Sequence, residues 1–327
     1  MIITKTPFRV SFAGGGSDMA NFYEQHGGCV LSTSINRYCY LSIHPYFDEN
    51  ATLLKYSENE LVTDISKIKH RIFNSVLNEY KVSGVEISST ADVPGGTGLG
   101  SSSTFTVGLL NTIACYRGKF MSKGELAAKA CDVEINKLGS PIGKQDQYAA
   151  AYGGLNFIRF NRDGSVSVEP IVMQPGTYKE LEKHLVMFYT GNTRSANSIL
   201  KEQKKNIDDA AKAENLKHMC HLAEQMKGAL EQNDLSSFGE LLNDGWALKR
   251  TLASGISNPA IDEAYEIAMK NGALGGKLLG AGGGFLLFFC EPEKQEQLRV
   301  ALGLRRFDFS FERDGASVVY IGDKYWG

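Results

Sequence analysis

No Cys-x-x-Cys pair occurs in this chain; its six cysteines, Cys29, Cys39, Cys115, Cys131, Cys220 and Cys290, are scattered along it. A disulfide framework belongs to small secreted chains, so in 327 residues these read as reduced, mostly buried thiols. Long apolar runs are missing as well. The longest, "FLLFFC", is far too short to cross a bilayer, and "MIITKTPFRV" at the N-terminus lacks the apolar stretch of a signal peptide. Neither sign of charge dominates: 35 Lys and Arg against 37 Asp and Glu leave a formal net charge of −2. That balance offers no whole-protein attraction to nucleic acid or to an anionic membrane. There is no internal repeat. The expectation is a soluble cytoplasmic protein with a small-molecule partner, and any anion it holds must be held locally.

What is present is ordinary globular composition, 43% hydrophobic and 22% charged, at a length where single cores stop growing. Two domains are expected, residues 1–175 and 176–327, divided at Pro175-Gly176. Residues 2–12 read as a strand. The segment 29–47 alternates as two strands joined near Ile35–Arg37, and 65–80 has helical apolar spacing. A strand over 84–91 leads into a glycine-rich loop and a helix from Ser101. A further helix spans 122–138, with Ser122 and Glu125 matching a capping box, and a short one spans 145–152. Asp163-Gly164 turns a hairpin. Past the boundary come a strand, helical tracts through Lys270, two strands around a glycine turn, a last helix, and the strands "RFDFSF" and "ASVVYIG".

Glycine is where the chain is rich. "ADVPGGTGLGSSSTF" sets bare backbone and three serines between a strand and a helix. A helix starting at Ser101 leaves its first amides unpaired, and the helix end adds about half a positive charge, which favours phosphate. The competing reading is a flexible linker, which would not need a buried-type strand before it and a buried-type helix after it. The loop is not a Walker A sequence, because no Lys-[Ser/Thr] follows the glycines. In "EINKLGSPIGKQDQ", Glu134 and Asp146 flank a Gly-Ser-Pro break that lets the chain fold back. One acid could hold a metal and the other accept a proton, or both could be surface residues. In "RVSFAGGGSD", Arg9 and Asp18 bracket a glycine turn suited to a polyhydroxy ligand or to a plain helix cap. "KLLGAGGGF" is a fourth glycine turn. His218 and His221 of "HMCH" read as surface helix, and Trp246 reads as helix packing.

Together, "VPGGTGLGSSS", "EINKLGSPIGKQDQ" and "KLLGAGGGF", in this order over nearly the whole chain, resemble the galactokinase, homoserine kinase, mevalonate kinase and phosphomevalonate kinase (GHMP) superfamily. Within it, "RVSFAGGGSD" and "TGNTRSA" look most like the heptose 7-phosphate kinases of bacterial surface-glycan synthesis, with fucokinase-type sugar kinases close behind.

The resemblance implies an α+β two-domain fold: an N-terminal α/β domain like ribosomal protein S5 domain 2, then a ferredoxin-like α+β domain. It implies ATP and Mg²⁺. Pro94, Gly95, Gly96, Thr97, Gly98, Leu99, Gly100, Ser101, Ser102 and Ser103 would hold the nucleotide. Ser102 and Glu134 would be metal ligands, Asp146 the base, and Arg9 a stabiliser of charge in transfer. Gly15, Gly16, Asp18, Gly282, Gly283 and Gly284 would meet the sugar, a phosphosugar in the heptose reading. Its phosphate needs a cation: Arg194 first, then Lys144, with Lys249 and Arg250 as further candidates. Many relatives carry an apolar residue before the catalytic Asp, whereas this chain has "GKQDQ"; a close Lys144 would make Asp146 a poorer base. Other readings are a kinase of fucose or another unphosphorylated sugar, a decarboxylase of the mevalonate branch, and a non-catalytic sensor on the same scaffold.

Overall fold

The computed structural model describes residues 1–191, 197–207, 209–280 and 283–322. Its strands are β1 (Ile2–Ala13), β2 (Gly28–Pro45), β3 (Thr52–Lys55), β4 (Asn59–Val62), β5 (Val85–Ala91), β6 (Leu155–Phe160), β7 (Val166–Pro170), β8 (Leu185–Tyr189), β9 (Ala273–Leu278), β10 (Phe285–Cys290), β11 (Arg305–Arg306), β12 (Phe311–Glu312) and β13 (Ser317–Ile321). Its α-helices are α1 (Ala20–His26), α2 (Arg71–Tyr80), α3 (Ser101–Tyr116), α4 (Lys123–Cys131), α5 (Gln145–Tyr152), α6 (Pro175–His184), α7 (Asn197–Asn206), α8 (Ala210–Glu231), α9 (Leu235–Lys249), α10 (Pro259–Lys270) and α11 (Gln295–Leu302).

The first sheet runs β13-β1-β2-β5-β3-β4, with β6 and β12 also paired to β2. Its hub is β2, one continuous strand rather than the two expected. The joint near Ile35–Arg37 is a bulge: Pro7 of β1 faces Tyr38 while Phe8 faces Ile35, leaving Asn36 and Arg37 unmatched. Pro7 has no amide to give the ladder, so the irregularity falls where pairing is cheapest to lose. Strands β3 and β4 were too short for the sequence pattern to reveal. The 65–80 helix is interrupted, because His70 caps α2 by accepting from the Phe73 amide.

The second sheet is antiparallel, in the order β11-β8-β10-β9. Counted along the chain from β8 that is 4-1-3-2, the ferredoxin-like arrangement, with α7 to α10 between its first two strands. "RFDFSF" is not one strand. Its start pairs with β8 and its end pairs with β2, so residues 307–310 carry the chain from the second sheet back to the first. There β13 pairs with β1.

One apolar core packs α2 to α5 on the first sheet around Leu41, Phe73, Leu109 and Ile158. A second joins the two sheets: Phe8, Val10 and Phe12 of β1 meet Phe238 and Leu242 of α9 and Leu287 and Phe289 of β10. Leu99 and Leu279, both fully buried, belong to this second core. Each follows a glycine-rich turn or leads into one, so burial of two leucines pins both loops at the seam.

Candidate active site

The glycine loop before α3 behaves as its composition suggests. Gly100 takes φ +80 ahead of the helix, and no side chain caps the first turn. Amides of that turn therefore point out of the helix end without an intrahelical partner. They open into a cavity of about 590 Å³ whose walls include Gly96, Gly98, Gly100 and Ser101 to Ser103. Thr97 and Leu99 are buried and serve as anchors instead; Thr97 donates to the Pro94 carbonyl at 3.0 Å. Pro94 and Gly95 lie exposed outside the cavity lining.

Three acidic groups reach the cavity. Asp146 stands in the first turn of α5, where both its oxygens are gripped by Arg9 of β1, Nε to Oδ1 at 2.7 Å and Nη2 to Oδ2 at 2.9 Å. The remaining Arg9 nitrogen, Nη1, donates to the Gly98 carbonyl at 2.7 Å, tying Asp146 to the glycine loop before α3. Glu134 lies where α4 loosens into a π-helical stretch, Asp132–Lys137, a feature frequent at functional sites. Ser102 Oγ donates to its Oε1 at 2.6 Å and Gln147 Nε2 to its Oε2 at 2.8 Å. Burial raises the Glu134 pKa, against the lowering effect of those donors. Asp18 is buried too, and desolvation raises its pKa while the Gln145 and Gly16 amides pull the other way. Those amides reach its two oxygens at 3.1 and 2.9 Å, so Asp18 clasps the first glycine turn to the start of α5.

The end of the cavity near Gly15 and Gly16 is polar and unsatisfied. Among the described residues Ser11 Oγ and Gln145 Oε1 are buried without a partner, and Gln203 of α7 also lines the wall. These residues were missed in the sequence, as was Lys277. Buried polar atoms with no partner are uncommon, and a ligand rich in hydroxyls would satisfy them.

Several expectations are corrected. Lys144 is not in the cavity wall; its Nζ donates to Gly164 O at 2.8 Å and sits 4.6 Å from the centre of the Tyr23 ring. Arg250 pairs with Asp262 at 3.2 Å. Gly284 packs on the glycine loop before α3, since a Cβ there would lie 2.3 Å from the Thr97 carbonyl, and Gly280 rather than Gly283 or Gly284 lines the cavity. As expected, Trp246 is packed in the core beside Tyr265, and His218 and His221 are exposed on α8. Arg194 and Gly282 fall outside the described residues. Lys249, by contrast, does line the cavity, with Lys277 beside it.

Comparison with known proteins gives matches to two family models, "GHMP kinases N terminal domain" over residues 66–154 and "GHMP kinases C terminal" over 226–307. The chain is 32% identical to D-glycero-alpha-D-manno-heptose 7-phosphate kinase of Campylobacter jejuni, over 96% of this chain and 97% of that protein. It is 27% identical to the bifunctional fucokinase/GDP-fucose pyrophosphorylase of Arabidopsis thaliana, over 90% of this chain but 30% of that one. Among solved structures, a D-glycero-D-manno-heptose 1-phosphate kinase from Bacteroides thetaiotaomicron superposes with TM-score 0.81 at 26% identity, covering 99% of this chain and 100% of the other. Among the described residues no helix is long and apolar enough to cross a membrane.

Proposed function

The chain belongs to the GHMP kinase family, and from that premise we propose how its site works. It is a sugar kinase, an ATP-dependent phosphotransferase with an alcohol acceptor. The reaction transfers the γ-phosphate of ATP to the anomeric hydroxyl of D-glycero-D-manno-heptose 7-phosphate, giving the 1,7-bisphosphate for bacterial surface-glycan (GDP-heptose) synthesis. One observation carries this reading: the uncapped end of α3, the Ser102–Glu134 pair and the Arg9–Asp146 pair all face a single cavity.

The unpaired amides of the loop and of α3 hold the phosphates of ATP. Ser102 and Glu134 would hold Mg²⁺. They are hard oxygen donors 2.6 Å apart in the cavity wall, and a buried carboxylate with a raised pKa gains from a nearby cation. When bound, Mg²⁺ would supply positive charge that offsets the charge of the ATP phosphates. Asp146 takes the hydroxyl proton late, because the transition state is largely dissociative. Arg9 fixes its orientation, and each carboxylate oxygen keeps a second lone-pair site for that proton. Ser11, Gly15, Gly16, Asp18 and Gln145 surround the sugar hydroxyls. Arg194 is our candidate for the 7-phosphate; it precedes α7, whose Leu200 and Gln203 line the cavity. In this reading residues 1–175 hold the donor, while 176–327 close the site and return β12 and β13 to the first sheet. A reaction that consumes ATP belongs in the cytoplasm.

The test is ADP release measured with heptose 7-phosphate, heptose, mannose, fucose and mevalonate. Heptose 7-phosphate should give the highest kcat/KM. A preference for fucose or an unphosphorylated sugar would move the assignment to another branch of the family, and no turnover with any acceptor would favour a sensor.

A further inference from the structure

Lysines are among the residues least often buried without a partner, because an ammonium removed from water needs compensation. Two line this cavity, Lys277 buried and Lys249 half-buried. Lys277, in β9, is 4% exposed, and its Nζ donates to Phe12 O of β1 at 2.8 Å. Lys249, the last residue of α9, donates to Leu278 O at 3.0 Å and Gly280 O at 2.6 Å. Neither forms an ion pair among the described residues, and Arg9, the third cation facing them, is engaged by Asp146. Burial first, then Arg9, lowers the Lys249 pKa to about 7. Burial, then Lys249 and Arg9, holds Lys277 well below the ordinary lysine value. Lys249 and Lys277 thus share the cavity wall with Arg9, and of the three only Arg9 has a carboxylate partner among the described residues. An anion entering from the cavity would give both ammonium groups the charge partner they lack among the described residues.

Its position tells which anion. The Gly280 carbonyl that holds Lys249 belongs to a residue pressed on the nucleotide loop: a Cβ at Gly280 would lie 2.4 Å from Gly98 Cα. Gly98 O in turn accepts from Arg9. Lys277 reaches from there toward β1 just before the first glycine turn. The cations therefore lie between the donor loop and the acceptor end.

We propose that Lys249 and Lys277, together with Arg9, form the cationic seat of the phosphoryl group while it moves from donor to acceptor. This rests on the kinase reading above. As the bond from the γ-phosphorus to the ADP oxygen breaks, ADP keeps the electron pair. The anomeric oxygen bonds to phosphorus, and its proton goes to Asp146. The lysines transfer no proton to the substrate; they hold the equatorial oxygens, where the charge of a loose transition state is spread.

The experiment is titration of MgADP with and without aluminium fluoride, which mimics the phosphoryl group in flight, in the absence of sugar. In the parent protein fluoride should tighten ADP binding by about tenfold or more, since one charge-assisted contact is worth ~1.5–3 kcal/mol. Lys277→Met and Lys249→Met should each lose most of that gain while binding ADP alone within about twofold of the parent, well inside the contribution of one such contact. Lys277→Arg should restore it. Survival of the fluoride gain in both Met variants overturns the seat. So does a fluoride gain left intact beside weakened binding of heptose 7-phosphate, which would assign the lysines to the acceptor's own phosphate. Failure of the parent to bind ADP at all is a different result, and it would remove the kinase reading along with the seat.

Discussion

Arg9 and Asp146, 137 residues apart in sequence, meet through two parallel hydrogen bonds of 2.7 and 2.9 Å. A fork-to-fork contact of this kind fixes the carboxylate in its plane as well as in position. Asp146→Asn keeps the shape and removes the proton acceptor. Its kcat should fall by about 10²–10⁴-fold, the usual worth of a positioned base. The Kd for MgATP should stay within a few-fold of the parent, read by calorimetry beside steady-state rates. Arg9→Lys cannot make the double contact and should also lower kcat more than it raises KM.

The seam between the two glycine loops admits no side chain. Gly280 has φ +69, and a Cβ there would press on Gly98 Cα. Gly280→Ala should therefore push the nucleotide loop out of place and raise KM for ATP by about tenfold or more, comparable to losing a charge-assisted contact. Gly118→Ala is the control. Its φ is +64 but nothing lies within 4 Å of the new Cβ, so it should cost about 1 kcal/mol of stability and leave KM unchanged.

Lys249 makes stability depend on pH. Its pKa is about 7 in the folded chain and ~10.4 when unfolded, so between these values the unfolded state binds the extra proton. Stability then rises with pH across that window; the penalty is complete below about pH 7 and gone above ~10.4. Lys249→Met cannot titrate. The Tm of this variant minus that of the parent should shrink steadily as pH is raised from about 7 to about 10. A difference independent of pH would show that the ammonium is well solvated.

Lys144, next but one to Asp146, is held on the far partner Gly164 O and over the Tyr23 ring. Lys144→Met should lower stability by about 1 kcal/mol, the worth of one such hydrogen bond. KM for the phosphosugar and the pH profile of kcat should not move. A rise in KM specific to the phosphorylated sugar would return Lys144 to the substrate site.

Much of the site was legible because its parts are local. The glycine loop, the capping box of Ser122 and Glu125, and the bounds of α5 each depend on residues a few positions apart. Arg9, Ser102, Glu134 and Asp146 were picked out by resemblance, and the structure brings them to one cavity. What stayed hidden depends on distant packing. A bulge at Asn36–Arg37 and a break between strands look alike in an alternating pattern. The π-helical stretch at Glu134 leaves no mark in composition. Lys277 reads as an ordinary strand lysine until β1 closes over it, and Ser11 reads as a spacer until Gln145 arrives from the other side. The return of β12 and β13 to the first sheet joins distant parts of the chain, as in the Ser310 amide to Asn36 Oδ1 contact with its separation of 274.

The central claim is that this cavity moves a phosphoryl group onto the anomeric oxygen of a heptose 7-phosphate with Asp146 as proton acceptor. Phosphorus NMR of the product made from ATP and that sugar tests it most directly, run side by side on the parent and on Asp146→Asn. The account predicts a second sugar phosphate signal coupled to the anomeric proton in the parent and almost none in the variant over the same time. A phosphate on any other carbon, or equal product from both proteins, would contradict it.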